Sequence, residues 1–181
     1  MTELQPPIAE LSLLDRFTSR IELPELARWL AQTRLSFDDV KPFLRFHPDR
    51  YVRNLMHAGP AYQALVLCWR SGQRSPIHDH QGSSCAVKVL RGVATETQFE
   101  KTEAGLVYAV GSHQLAEGAS CASQDDDIHQ MSNLQPPGED LVTLHIYSPR
   151  LLSMNMYSIL DAKVTQFFDP INDEFVSGAG I

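Results

Sequence analysis

The chain is poor in cysteine. Its three cysteines, Cys68, Cys85 and Cys121, are an odd number without CxxC spacing, which argues against a disulfide framework and fits reduced thiols in a cytoplasmic protein. Apolar runs are short. None approaches the ~20 residues that a helix needs to cross a bilayer, so no membrane partner is expected. Positive charge is scarce too: 15 Lys and Arg stand against 22 Asp and Glu, and a net charge of −7 offers no basic face to nucleic acid. The N-terminal Met-Thr-Glu-Leu-Gln-Pro-Pro has no basic region followed by an apolar stretch, so no secretory signal is read. There is no internal repeat and no low-complexity segment. These absences leave an ordinary globular composition, 43% hydrophobic and 20% charged, and 181 residues fit one domain with a real core.

Two periodicities divide the chain. Over residues 8–46, Leu11, Leu14 and Phe17 have helical spacing, as do Leu26, Trp29 and Leu30. Pro24 suits the first turn of a second helix, and Ser36 followed by Asp38 and Asp39 suits the cap of a third. From Tyr62 the pattern becomes short β-rich runs separated by turn residues: 64–69, 84–90, 94–99, 106–110, 114–116, 141–147 and a tail near 164–168. Regular short strands of this kind predict a sandwich or barrel. Pro136-Pro137-Gly138-Glu139-Asp140 reads as a turn before a strong strand, not as a linker. The expectation is one domain over 1–181, mostly β, with a helical N-terminal layer at about 8–46 on a β-barrel at about 62–170.

The most informative stretch is His78-Asp79-His80. Two histidines one residue apart on an extended strand point to the same face, and two converging imidazoles suit Fe, Zn, Ni or Cu. A polar pair at a strand end would read the same way, but the surroundings are ordered. Gly72 precedes the first histidine by six residues, and Gly92 closes the next strand. That spacing resembles the first motif of the cupin superfamily, with Cys85 where many cupins place a glutamate ligand. The third ligand is expected at His129, because His129-x-x-x-Asn133 resembles the end of the second cupin motif without its usual proline and glycine. His47, His57 and His113 are weaker candidates, the first two before the barrel and the last in a probable turn. A set of three neutral histidines suits zinc with a bound water, hence hydrolysis, or Fe(II) with open positions, hence oxygen chemistry.

Thr143-Leu-His145-Ile-Tyr147-Ser148-Pro149 alternates polar and apolar, so Thr143, His145 and Tyr147 share a face. A polar row pointing inward is costly unless its members bond one another or a ligand, and His145 is placed to orient the Tyr147 hydroxyl. An outward, solvated face is the alternative. Cys68 beside Trp69 reads as a core residue and Asp125–Asp127 as a solvated turn.

Taken in order, Tyr51-Val-Arg53-Asn54-Leu55, Leu67-Cys68-Trp69, the His78–Gly92 block with Lys88-Val-Leu-Arg-Gly92, Thr95-Glu96-Thr97 and His145-Ile-Tyr147-Ser148-Pro149 resemble cysteine dioxygenase. The resemblance covers most of the chain from Tyr51 to Pro149. It implies a non-heme Fe(II) enzyme that oxidises L-cysteine to cysteine sulfinate with O2, a step of cysteine catabolism. On that likeness His78, His80 and His129 hold iron, and Arg53 receives the substrate carboxylate. Tyr147 is the active-site tyrosine, supported by His145 and Thr143, while Tyr51 and Trp69 line or back the pocket. Cys85 matches the cysteine that forms a thioether with the tyrosine in animal members, which implies a Cys85–Tyr147 crosslink. Ser148-Pro149 matches a cis bond, and the family implies a monomer. Met154 stands where animal members have a cysteine near the pocket mouth, and the stretch between His129 and His145 is slightly longer here. Relatives acting on 3-mercaptopropionate usually carry glutamine in place of Arg53, so arginine points to L-cysteine. The alternatives are another small thiol, a cupin that binds a metal or ligand without turnover, and a zinc hydrolase with His145 as base.

Overall fold

The structure of the protein is a computed structural model that describes residues 6–125 and 127–168. The helical layer comes first. Helix α1 (Pro6–Leu11) runs into a short 3-10 turn at Ser12–Leu14, and α2 (Leu23–Gln32) opens with Pro24 in its first turn. Proline costs nothing there, because the first amide of a helix has no partner within it. Helix α3 (Phe37–Val40) is a single turn held by a capping box, in which the Asp39 carboxylate accepts from the Ser36 amide at 2.8 Å and its hydroxyl at 2.6 Å. The expected helical spacing ends at Leu14. Phe17 packs against the core from a non-helical segment, since the chain turns at residues 15–16.

Among the described residues eleven strands follow: β1 (Val52–Ala58), β2 (Gln63–Trp69), β3 (Ile77–His78), β4 (Ser84–Arg91), β5 (Ala94–Lys101), β6 (Val107–Leu115), β7 (Ser120–Gln124), β8 (Ile128–Ser132), β9 (Leu141–Ser148), β10 (Ser153–Tyr157) and β11 (Val164–Phe168). They form a five-stranded sheet, β1-β2-β9-β4-β7, and a six-stranded sheet, β11-β10-β3-β8-β5-β6, antiparallel throughout. This is the mostly β, cupin-type architecture that the sequence predicts, built as two facing sheets rather than a closed barrel.

Three readings need correction. The β region begins at Val52, not Tyr62, so His57 lies on a strand. Segments 106–110 and 114–116 are one strand, β6, and His113 sits within it instead of in a turn. A bulge opposite Gln98 and Phe99 lets β6 run on through Gly111. Finally, β7, β8 and β10 are strands that the composition of their short segments did not announce, and β3, the strand expected for the histidine pair, ends at His78 and leaves His80 in the loop.

Alternation along the five-stranded sheet explains the two hydrophobic layers. Ala64, Val66 and Cys68 of β2 and Val142, Leu144 and Ile146 of β9 face the helices, where they meet Leu11, Leu14, Leu26 and Leu30. Leu65, Leu67 and Trp69 of β2, with Cys85, Val87 and Val89 of β4, face the second sheet. Lys88 breaks the apolar pattern on the helix side. Its ammonium donates to the Thr33 carbonyl at 2.9 Å and so caps the end of α2, where cations complement the helix dipole. Cys68 is fully buried as expected, and burial pushes its thiol up to about 11. Met154 is buried in the layer between the sheets.

Arg20, just before α2, ties the helical layer to the loops of the β region. It donates to both Asp125 carboxylate oxygens, at 2.6 and 3.0 Å, to the Gly82 carbonyl and to the Ser84 hydroxyl. Asp125 and the nearby Gln81 are the described non-glycine residues with positive φ, at 50° and 40°. Asp125 is therefore no plain solvated turn residue, and Asp126 lies outside the described residues. Gly92, between β4 and β5, has φ +84°, and a Cβ there would meet the Asp140 carbonyl oxygen at 2.7 Å. The turn admits only glycine.

Candidate metal centre

Three strand-derived positions bring His78, His80 and His129 together. His78 ends β3 and is paired directly with His129 of β8, while His80 follows in the loop beyond Asp79. All three are buried, and one ligating nitrogen from each lies within 4.8 Å of the others. Asp79, between the first two, is 99% buried: it accepts from the Asn155 amide and side chain and from the Tyr157 hydroxyl at 2.6 Å. Its backbone amide also donates to the Asn155 carbonyl. The loop between the two histidines is thus fastened to β10.

The outer nitrogen of each ring has a partner. His78 Nδ1 lies 3.0 Å from the Pro76 carbonyl, His129 Nδ1 lies 2.6 Å from Glu96 Oε1, and His80 Nδ1 lies 3.5 Å from the Ser123 hydroxyl. A carbonyl and a carboxylate only accept, so the first two nitrogens carry the hydrogen and the opposite Nε2 is a bare lone pair. His80 Nε2 and His129 Nε2 are buried without a hydrogen-bond partner among the described residues. Leaving such atoms unmatched costs roughly 1–3 kcal/mol each, which a cation shared between the rings would offset. Burial, with the neighbouring imidazoles, lowers the pKa of His78 to about 3 and that of His80 well below its ordinary value. Neutral imidazole is the ligand form, so these residues fit a borderline divalent metal such as iron.

Glu96 was missed as a functional residue. It lies on β5 beside β8, with 4% of its surface exposed. Burial opposes its ionisation, but hydrogen bonds from His129 and Cys121, with His113 close by, outweigh it and hold the carboxyl below its usual range. The polar composition of β5, Ala-Thr-Glu-Thr-Gln-Phe-Glu-Lys, does not mark this carboxylate off from the other polar residues of the strand. Of the weaker ligand candidates, His113 reaches Glu96 at 3.1 Å and His57 pairs with Asp15 at 3.3 Å. Neither belongs to the three-histidine cluster.

The facing sheet supplies the polar row. Thr143, His145 and Tyr147 of β9 share the inner face, all buried. Trp69 Nε1 lies 3.0 Å from Thr143 Oγ1, Thr143 Oγ1 lies 2.9 Å from His145 Nε2, and His145 Nδ1 lies 3.2 Å from the Tyr147 hydroxyl. Indole N–H can only donate. Thr143 therefore accepts from Trp69 and turns its own hydrogen to His145 Nε2, which leaves His145 Nδ1–H to donate to the phenol oxygen. Burial, with the nearby Arg53 charge, drives the His145 pKa well down and so keeps the ring neutral. The Tyr147 hydrogen then points away from His145, on the side where the Cys85 thiol contacts the hydroxyl.

Cys85 on β4 is the cross-strand neighbour of Tyr147 on β9 and is in hydrogen-bond contact with its hydroxyl. Burial pushes the thiol up to about 12 despite that contact. Arg53, from β1, is half-buried rather than fully buried; its guanidinium sits 5.3 Å from the Tyr147 ring centre and also bonds the hydroxyl. Tyr51 stacks on Trp69 with ring centres 4.3 Å apart. Together Tyr51, Arg53, Trp69, His145 and Tyr147 enclose one side of a small cavity, and His78 and His129 enclose the other. The cavity has about 10 Å³ of open space, so a ligand larger than a water must displace side chains that line it. Met154 is not in its wall. The Ser148–Pro149 bond that ends β9 is cis, as the likeness implied.

Comparison with known proteins agrees with this geometry. The family described as cysteine dioxygenase type I matches residues 13–159. Cysteine dioxygenase type 1 of Danio rerio is 32% identical over 144 residues, which span 76% of this chain and 70% of that protein. The Homo sapiens protein of the same name is 35% identical over 113 residues, 59% of this chain and 55% of that one. The match thus leaves nearly half of the human protein uncovered. Among solved structures, an RmlC-like cupin protein from Ralstonia eutropha aligns with a TM-score of 0.52 over 81% of this chain and 86% of its own, at 14% identity, a likeness of fold alone.

Proposed function

The chain belongs to the cysteine dioxygenase type I family, and from that premise we propose that it is a non-heme iron thiol dioxygenase acting on L-cysteine to form cysteine sulfinate. The observation that carries the reading is the meeting of two unlike halves in one cavity: His78 and His129 of the three-histidine cluster on one wall, and Arg53 with Tyr147 on the other. Iron held by His78, His80 and His129 would supply the redox chemistry that brings both atoms of dioxygen to the thiol sulfur.

The remaining roles belong to the protein. Arg53 leaves the Tyr147 ring and receives the substrate carboxylate, a bidentate geometry that guanidinium suits and ammonium does not. Displacing Arg53 also opens the space that cysteine needs. Tyr147, oriented through His145, Thr143 and Trp69, donates its hydrogen bond into the cavity. Tyr51 and Trp69 exclude water from that wall. Cys85 and Tyr147 are neighbours suited to the thioether crosslink. The three free cysteines, Cys68 and Cys85 buried and Cys121 partly so, are consistent with a reducing, cytoplasmic setting.

Oxygen uptake by the anaerobically iron-loaded protein, with sulfinate quantified in the same sample, tests the reading. One sulfinate per O2 with L-cysteine is the expected result. Uptake with 3-mercaptopropionate and none with cysteine would remove Arg53 as the carboxylate clamp. Bound iron with no uptake from any thiol would leave a binding module.

A further inference from the structure

A cleft of about 730 Å³ lies apart from the proposed substrate cavity. It opens on the other side of His129, which lines both. Glu96, His113, Cys121 and Ser123 also line the cleft. Ser123 reaches the outer nitrogen of His80, and Glu96 reaches that of His129. The cleft therefore reaches the back of the metal centre through the buried Glu96 and Ser123, on the side away from the proposed thiol cavity.

Within it the three side chains form a line. Glu96 pairs across strands with His113 of β6, while Gln98, two residues on along β5, pairs with His129 of β8. That register sets the carboxylate between the two imidazoles. Oε1 lies 2.6 Å from His129 Nδ1 and Oε2 lies 3.1 Å from His113 Nε2. The carboxylate and the His129 ring are nearly inaccessible, with side-chain exposures of 5% and 4%, whereas 44% of His113 is exposed. A carboxylate cannot donate, so each contact is an N–H pointing at Glu96. The two histidines compete for one negative charge in a poorly screened place.

We propose that His113 is a positioning residue that sets, through Glu96, how much negative charge the His129 ring carries, and hence the reduction potential of iron at the site. The inference rests on His129 holding iron as proposed above. Glu96 draws on the His129 proton and makes the ring a stronger donor, which favours ferric over ferrous iron. His113 draws the carboxylate the other way and moderates that effect. Neither residue touches the thiol cavity.

The relay has a signature that mere support lacks, which is opposite signs at its two members. The midpoint potential of the iron-loaded protein, measured by spectroelectrochemical titration, should rise in Glu96→Gln and fall in His113→Phe. In the double variant it should match Glu96→Gln alone, because His113 then has no charge to divide. Ferrous iron retention against a chelator should weaken roughly 10–100-fold in Glu96→Gln, and His113→Phe should not weaken it. His113→Gln restores an N–H donor and should return the potential toward that of the parent protein. That half-exposed position gives a pair of variants that tests the idea even where Glu96→Gln does not fold. Shifts of the same sign, shifts that add in the double variant, or an unmoved potential in His113→Phe would overturn the relay while leaving the iron site standing. A parent protein that holds no iron at these histidines would defeat both readings.

Discussion

The two sheets divide the site between them. The six-stranded sheet brings the histidines and the carboxylate behind one of them, from β3, β8, β5 and the loop after β3. The five-stranded sheet brings Arg53, Trp69, Cys85 and the Thr143–Tyr147 row, from β1, β2, β4 and β9. Their surroundings differ as much as their chemistry. Strands β2 and β9 are buried along their whole length, with helices on one face and the second sheet on the other, whereas β6 and β11 at the edges of the six-stranded sheet are mostly exposed. On the proposed reading the substrate-facing groups belong to the sheet packed on both faces, and the ligating groups to the sheet with more open surroundings. Metal retention and substrate recognition should therefore fail separately, and mutations can ask whether they do.

The sharpest break is His78→Ala, which should abolish turnover and weaken metal retention roughly 100-fold or more, read as metal content after gel filtration. Arg53→Ala, on the opposite sheet, should retain iron at the parent level and raise the KM for cysteine roughly 10–100-fold, the worth of a charge-assisted hydrogen-bond pair at about 1.5–3 kcal/mol. Loss of iron in Arg53→Ala would mean that the two walls are not independent. Tyr147→Phe should lower kcat about tenfold or more with iron content unchanged, because one oriented donor is removed.

The metal-free protein should also lose stability in acid. His78 has a folded pKa near 3 against an ordinary 6.5, so between these values the unfolded chain binds the extra proton and the folded one does not. Stability is complete above about pH 6.5 and falls at about 1.4 kcal/mol per pH unit for this group toward pH 3. Urea midpoints across that range measure the slope, and a flat profile would contradict the neutral histidine. The smallest effect belongs to the outer face of the five-stranded sheet. Lys88→Met removes a helix cap, should cost about 1 kcal/mol, and should leave both KM and iron content unchanged.

Legibility in sequence followed the range of the interaction. The His78–His80 pair and the Thr143–His145–Tyr147 row were readable because period-two alternation places them without knowledge of the rest of the chain. The Ser36 cap was readable for the same local reason. His129 required a spacing to Asn133, whose buried side chain holds the Trp69 and Glu139 carbonyls. Glu96 was not legible, since its meaning lies in two partners on two other strands. Strand β1 was hidden by its mixed composition, and β6 was split by Gly111, which a bulge accommodates. The collapsed state of the cavity is a property of packing that no pattern announces.

Arg20 gives the helical layer a consequence beyond covering apolar surface. Among the described residues none of the helices lines the cavity, yet one guanidinium from that layer bonds the Gly82 carbonyl and the Asp125 carboxylate on either side of His80, whose amide in turn donates to the Asp125 carbonyl. The layer acts as a splint across the back of the loop. Trimming it away would loosen the grip on the ion from a distance, so a shortened chain could keep every ligand and still let its metal escape.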